Sequence, residues 1–537
     1  MSRWLLGFFC VIGLAVSALV GGSWSDRLGD HRGLHLVAVP DKAPDRGALV
    51  RALPRRTVIV VFDGLGIEEA AAMPALAAVG RRGQCLRTYV GSLSVSQPVY
   101  AVLSTGLEQD RSGARNNEPP ASVLRAENLW AIARQAGLTV SAISEQDWWQ
   151  RLFPATAERP AAFSTYLVRP RAENFFANAA PADVMLIHPL YVDEAGHEHG
   201  AASAAYRAAV ARADQELAGF LGSFDFARDL LLVTADHGHS LRGGHGGQQP
   251  RIANVLTCVA GPGVRRDAEV GRMDATSVAP TLAVLLGLRF PAHMRAGVDA
   301  GDDDLDAVWR IVDPGALPAA YLNDRKEAVA RFRDQNRAAL RALPGAPPSW
   351  RWFYAQERAA QDRRVVSVGI AGLLILGLFA RFPARPPWPG IGAAPTRDAA
   401  LCVAFVVLVY LALYVLIGAL RGGCDPTSIN TRTPFMLFSV QLSAAVLLGA
   451  GVLHLSVRRS LAALRADVLA LVAVTIALSL GHPAALGWLL GFPMPAPWLI
   501  FFPYFAALFL LTLSLLALPL CGGFTWLRRA PAAHQKS

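Results

Sequence analysis

The stretch "DLLLVTADHGHSLRGGHGG", Asp229 to Gly247, sets a short apolar run directly before a loop that holds three histidines, one aspartate and five glycines. The run reads as a buried strand. The loop reads as a place where metal-capable side chains, Asp236, His237 and His245, meet a backbone that glycine allows to approach an ion closely. In open α/β sheets ligands gather beyond the carboxyl ends of the strands. The residues that follow the other strands are therefore the next to inspect.

Outward from this stretch, apolar β-branched runs alternate with helical patterns. They are "TVIVVF" then "EEAAAMPALAAVGRRG", "LTVSAI", "DVMLIHPLYV" then "AASAAYRAAVARADQELAGFLG", "DLLLVT", and "NVLTCVAG" then "SVAPTLAVLLGL". This texture predicts an α/β fold, a mostly parallel sheet with helices on both faces. After "VIVVF" comes Asp63, and after "VMLIHPLYV" comes Asp193 with His197 four residues on. Three strands thus bring Asp63, Asp193 with His197, and Asp236 with His237 and His245 to one edge. Six such ligands are too many for one catalytic zinc, and mixed carboxylate and imidazole donors suit Zn²⁺ or Mn²⁺, so two divalent ions are expected. His188, His199 and His239 read as supporting or structural residues.

Two metal ions typically clamp a phosphoryl group during in-line displacement. The candidate nucleophile is Ser96, ahead of "QPVYAVLST", a helix that Gly106 would close. At a helix N-terminus a serine serves either as a cap or as a group placed where phosphate binds.

The chain has 537 residues, 53% hydrophobic and only 17% charged, a composition that calls for a bilayer. Residues 4–22 are long enough to span as an anchor, or to act as a signal peptide. Five further runs lie at 365–379, 399–420, 434–455, 468–490 and 499–520, none holding Asp, Glu, Lys or Arg. Arginines crowd alternate loops, so the positive-inside tendency exports the segment between residues 25 and 364. The net charge of +10 is then a topology signal and indicates no nucleic-acid partner. The expected layout is an anchor or signal peptide at 1–24, a linker at 25–55, a catalytic domain at 56–300, a helical connector at 301–364, a five-helix membrane region at 365–523 and a cytoplasmic tail at 524–537. Cys85 and Cys258, the two cysteines of the exported segment, read as core thiols rather than a disulfide.

The order "VIVVFDG", "SVSQPVYAVLSTG", "VDEAGHEHG", "TADHGHSLRGGHGG", "GPGV" and "DATSVAPTLAVLLGL" resembles the alkaline phosphatase superfamily, in its type I phosphodiesterase and nucleotide pyrophosphatase branch. Motifs and layout are similar to those of the glycosylphosphatidylinositol ethanolamine-phosphate transferases. The chain departs from that pattern in Glu194 for a His, His239 for a Met, Ser96 for a Thr, and only five trailing spans. The resemblance implies one ion on Asp193, His197 and His245 and the other on Asp63, Ser96, Asp236 and His237. It also implies that Asn116 or Asn117 binds a non-bridging phosphate oxygen, although an Asn pair can equally mark a turn.

The expected function is a membrane-bound phosphotransferase that cleaves a phosphodiester through a phospho-serine. Its donor would be a phospholipid such as phosphatidylethanolamine, and its acceptor a lipid or glycan. A membrane-tethered phosphodiesterase or nucleotide pyrophosphatase is the second reading, and a non-catalytic transporter or scaffold the third. Glu145, Asp147, Trp148 and Trp149 ("EQDWW") could meet a substrate ammonium through carboxylate and cation–π contacts, or could be a half-buried aromatic pair beside solvated acids.

Overall fold

The computed structural model describes residues 38–345 except 92, 113, 115, 116, 118–123, 125, 158, 242, 248, 267–270, 295–303 and 344, together with residues 408, 412, 415 and 416. The expected anchor or signal peptide, the five trailing runs apart from those four residues, the tail and Asn116 lie outside the described residues. Among the described residues no helix is long and apolar enough to cross a membrane. The chain divides into two compact units, and the elements below belong to the one that covers Gly29–Ala360.

Eight strands form one sheet: β1 (Thr57–Phe62), β2 (Gly83–Tyr89), β3 (Val140–Ser144), β4 (Thr165–Val168), β5 (Val184–His188), β6 (Leu230–Ala235), β7 (Asn254–Ala260) and β8 (Gly271–Asp274). Their spatial order is β4-β3-β5-β1-β6-β7-β2-β8. Every pairing is parallel except those of β7, which runs antiparallel to β6 and β2. Every residue of β1, β5 and β6 is buried, so both sheet faces are covered, as their unbroken apolar sequence predicts. Burying a side chain such as Val58, Val60 or Phe62 stabilises the fold by about 1.5–3 kcal/mol, which makes this trio of strands the rigid base of the site.

Six helices matter to the site and its surroundings: α1 (Ser96–Thr105), α2 (Trp148–Leu152), α3 (Tyr191–His199), α4 (Ala204–Leu221), α5 (Val278–Leu285) and α6 (Ala319–Arg341). Helix α1 ends at Gly106, whose φ of 67° is the left-handed conformation glycine adopts freely. Ser203 caps α4 by accepting from Tyr206 N.

Three expectations are corrected. Cys85 and Cys258 are joined by a disulfide: they face each other in the antiparallel β2/β7 register with Cα atoms 4.1 Å apart. The sequence pattern contained no β2, so this juxtaposition was invisible to it. The described part of the supposed linker is docked rather than free. Val39 donates to Ala292 O, Leu49 is buried, and Asp41 forms a fully buried ion pair with Arg325 of α6 at 2.7 Å. Finally, β5 stops at His188 and Pro189, so Asp193 lies on α3 rather than at a strand end.

Candidate metal centre

Strands β5, β1 and β6 are neighbours, and their carboxyl ends set the ligands side by side. Asp63 follows β1 and Asp236 follows β6, while Asp63 N donates to Pro189 O at 3.2 Å where β5 turns into α3. On α3, Asp193 and His197 stand one turn apart on one face.

The first cluster is buried completely. His237 Nε2 lies 3.3 Å from Ser96 Oγ, 3.3 Å from Asp236 Oδ2 and 3.5 Å from Asp63 Oδ1. The outer oxygens are engaged elsewhere: Asp236 Oδ1 accepts from Gly64 N at 3.0 Å and His237 N at 2.9 Å, and Asp63 Oδ2 accepts from Tyr100 Oη and faces His188 Nε2 at 3.2 Å. Among the described residues Asp63 Oδ1 and Asp236 Oδ2 have no hydrogen-bond partner. Two buried carboxylate oxygens left without donors are costly unless a cation sits between them, so the donor set fits a divalent ion. His237 Nδ1 faces the carbonyl of Gly238 at 3.3 Å and must carry the proton, which leaves the Nε2 lone pair toward the cluster.

The second cluster centres on Asp193. Its Oδ2 is 3.2 Å from His197 Nε2, and its Oδ1 is 2.8 Å from His239 Nε2 and 3.9 Å from His245 Nε2. His197 and His245 bring their Nε2 atoms within 3.1 Å. His245 Nδ1 donates to Ser94 O at 2.8 Å, so its Nε2 also presents a lone pair. Ser94 secures this loop a second time, since its Oγ accepts from Gly246 N and donates to Gly247 O. Gly246 has a φ of 109°, a conformation that a side chain would strain. Asp193, His237 and His245 also lie close enough together to share an ion, as do Asp193, His197 and His239.

Electrostatics suit ligation. Burial pushes His237 down to about 4, and burial with the neighbouring His237 and His197 pushes His245 well below the usual histidine range, so both are neutral at pH 7. Burial, followed by the charges of Asp63 and Asp193, pushes Asp236 well up. Burial alone would raise Asp193 as well, but His197 and His239 outweigh it and hold that carboxyl well below its usual range.

Ser96 is the first residue of α1 with Val95 as its cap, so its hydroxyl does not serve the helix and points instead at His237. Asn117 Nδ2 lies 3.4 Å from Ser96 Oγ, and its Oδ1 accepts from Gln97 N at 3.0 Å. Tyr100, one turn beyond Ser96, was missed in the sequence, although its spacing on α1 places it on the same face. His188 sits behind Asp63 with Nδ1 2.8 Å from Ser144 Oγ, and His199 lies exposed beside Glu198.

The "EQDWW" pocket needs correction. Trp149 is fully buried, stacked on Tyr100 with ring centroids 4.3 Å apart and edge-on to Trp130 and His188, so no face is open to a ligand cation. Asp147 pairs with Arg151 at 2.8 Å, and Trp148 packs half-buried against the core. Glu145 accepts from Leu190 N at 2.8 Å, and burial pushes its carboxyl up to about 7.

Comparison with known proteins follows the same lines as the motifs. The family model of type I phosphodiesterase / nucleotide pyrophosphatase matches residues 155–241. The catalytic subunit of GPI ethanolamine phosphate transferase 3 is 27% identical over 225 residues in Mus musculus and 29% identical over 237 residues in Homo sapiens. These matches cover 39% and 40% of this chain but only 20% and 21% of the relatives, so the chain aligns with about a fifth of their length. Among solved structures, murine ectonucleotide pyrophosphatase / phosphodiesterase 5 is 13% identical with a TM-score of 0.36, over 43% of this chain and 95% of its own. Both resemblances expected from the motifs are therefore found: to type I phosphodiesterases across residues 155–241, and to the catalytic subunit of a GPI ethanolamine phosphate transferase across about two fifths of the chain.

Proposed function

We propose that the chain is a membrane-bound phosphotransferase that opens a phosphodiester with Ser96 and passes the retained phosphoryl group to a second alcohol. The observation that carries this reading is the convergence of Ser96 Oγ, His237 Nε2 and the two partnerless oxygens of Asp63 and Asp236 at the N-terminus of α1. Asp63, Asp236, His237 and Ser96 would hold one divalent ion, and Asp193, His197 and His245 the other, with Zn²⁺ the ion these donors suit. When bound, two such ions stabilise charge on the oxygens of a transferring phosphoryl group.

The chain's own residues do the rest. Ser96 Oγ attacks phosphorus as its hydroxyl gives up its proton, and the ester bond to the first alcohol breaks as the departing oxygen takes up a proton. The phosphoryl group with its remaining substituent stays on Ser96 until a second alcohol, losing its own proton, displaces it and Ser96 is reprotonated. Asn117 is held by Gln97 with its amide beside Ser96, where its Nδ2–H can donate to a non-bridging oxygen. The names of the two transferase relatives support phosphoethanolamine as the group retained, and phosphatidylethanolamine is the phospholipid donor that would carry it. The apolar runs at both ends of the sequence would keep the site beside lipid headgroups. The Cys85–Cys258 disulfide supports an extracytoplasmic, oxidising compartment for this domain.

The test is the mass of the Ser96-containing peptide after the full-length protein, in membranes with Zn²⁺, meets phosphatidylethanolamine without acceptor. A phosphoethanolamine adduct that is absent from Ser96→Ala is the expected result. The phosphodiesterase match over residues 155–241 favours one competitor, and steady cleavage of a nucleotide or simple diester with no adduct would replace transfer by hydrolysis.

A further inference from the structure

His239 belongs to neither proposed ligand set, yet it is fully buried between them. Its ring centroid lies 4.9 Å from that of His197, 5.3 Å from His245 and 5.8 Å from His237. Its Nε2 is 2.8 Å from Asp193 Oδ1, and its Nδ1 has no partner among the described residues. Two glycines make its space. A Cβ on Gly196 of α3 would stand 2.3 Å from His239 Cδ2, and one on Gly64 would stand 2.9 Å from Nε2. Backbone from β1's end and from α3 thus leaves a slot of imidazole size against Asp193.

We infer that His239 is a positioning residue: its Nε2–H holds Asp193 Oδ1, so that Oδ2 is the oxygen offered beside His197. The inference rests on the two-ion reading above. A carboxylate can only accept, so the proton of a neutral His239 belongs on Nε2. The two oxygens of Asp193 are then divided between two imidazoles, Oδ1 to His239 and Oδ2 to His197 at 3.2 Å. As a fourth ligand beside Asp193, His197 and His245, His239 would fill a four-coordinate ion and close the position that catalysis needs. As an orienting donor it leaves that position open and fixes which lone pair of Asp193 is used.

The experiment is Zn²⁺ and Co²⁺ titration of metal-stripped full-length protein, following ion stoichiometry, affinity and the Co²⁺ absorption spectrum. His239→Leu should weaken one of two ions by about 10- to 100-fold, the usual effect of losing an outer hydrogen bond to a ligand. His239→Gln, which places an N–H near the same point, should bind within about threefold of wild type with an unchanged Co²⁺ spectrum. Thermal melting of the stripped variants checks that both remain folded. If His239→Gln loses an ion as Asp193→Asn does and alters the Co²⁺ spectrum, His239 is a ligand and the inference falls. If His239→Leu binds both ions like wild type, the ring only fills space and the inference also falls. A wild-type protein that binds fewer than two ions overturns the two-ion reading itself.

Discussion

Tyr100 donates its hydroxyl to Oδ2 of Asp63, one helical turn beyond Ser96 on α1. The helix that presents the proposed nucleophile is thereby tied to a carboxylate that faces the candidate metal cluster. Tyr100 is fully buried on the stacked ring of Trp149, so neither partner can drift without moving the other. Tyr100→Phe keeps the stack and removes the tie. We expect turnover to fall by about 10- to 100-fold, as for other outer partners of metal ligands, with a stability loss of about 1 kcal/mol from one hydrogen bond. Steady-state kinetics beside thermal melts check it, and equal losses of activity and folded fraction would argue for a purely structural tyrosine.

Asn117 stands 3.4 Å from Ser96 Oγ with its carbonyl oxygen fixed by Gln97 N. If its amide stabilises charge on the phosphoryl oxygens, Asn117→Ala should lower kcat by about 10²-fold, the effect of losing one such donor. KM should change little. A variant with unchanged kcat and raised KM would restrict Asn117 to substrate binding.

Asp236 carries a partnerless oxygen in a site already crowded by Asp63 and Asp193, and burial with their charges pushes it well up. Asp236→Asn keeps an acceptor for Gly64 N and His237 N while removing the repulsion. The metal-stripped variant should therefore melt higher than metal-stripped wild type, yet bind one ion fewer. Melting curves with and without chelator decide this, and a lower melting point in the stripped variant would contradict the repulsion argument.

Glu145 provides the pH test outside the ligand sets. Its folded carboxyl is pushed up to about 7 chiefly by burial, against about 4.5 when unfolded. Below about 4.5 both states hold the proton and the full contribution is present. As pH rises to 7 the unfolded chain releases its proton first, and stability is lost. Glu145→Gln lacks this loss, so at pH 8 it should be more stable than wild type by about 1 kcal/mol, discounted for a carboxyl that is partly exposed. Denaturant unfolding at pH 4.5 and pH 8 measures the difference, and an equal gap at both values would dismiss the titration of Glu145.

Much was legible in the chain itself. Short unbroken apolar runs such as "VIVVF" and "LLLVT" read as buried strands, because a strand covered on both faces has no polar side to show. The residues directly beyond them place Asp63, Asp236 and His237 at one edge of the sheet. Gly106 closed α1 because only glycine adopts the left-handed cap cheaply.

Other features were set by contacts between segments far apart in sequence, where local pattern carries no signal. The Cys85–Cys258 bond depends on a cross-strand register spanning 173 residues. The docking of Asp41 on Arg325, the burial of Trp149 behind Tyr100 and the slot that Gly64 and Gly196 leave for His239 are likewise tertiary. Which side chains could bind an ion was written in their chemistry; which of their oxygens were left free to do so depended on the partners that folding brought to the others.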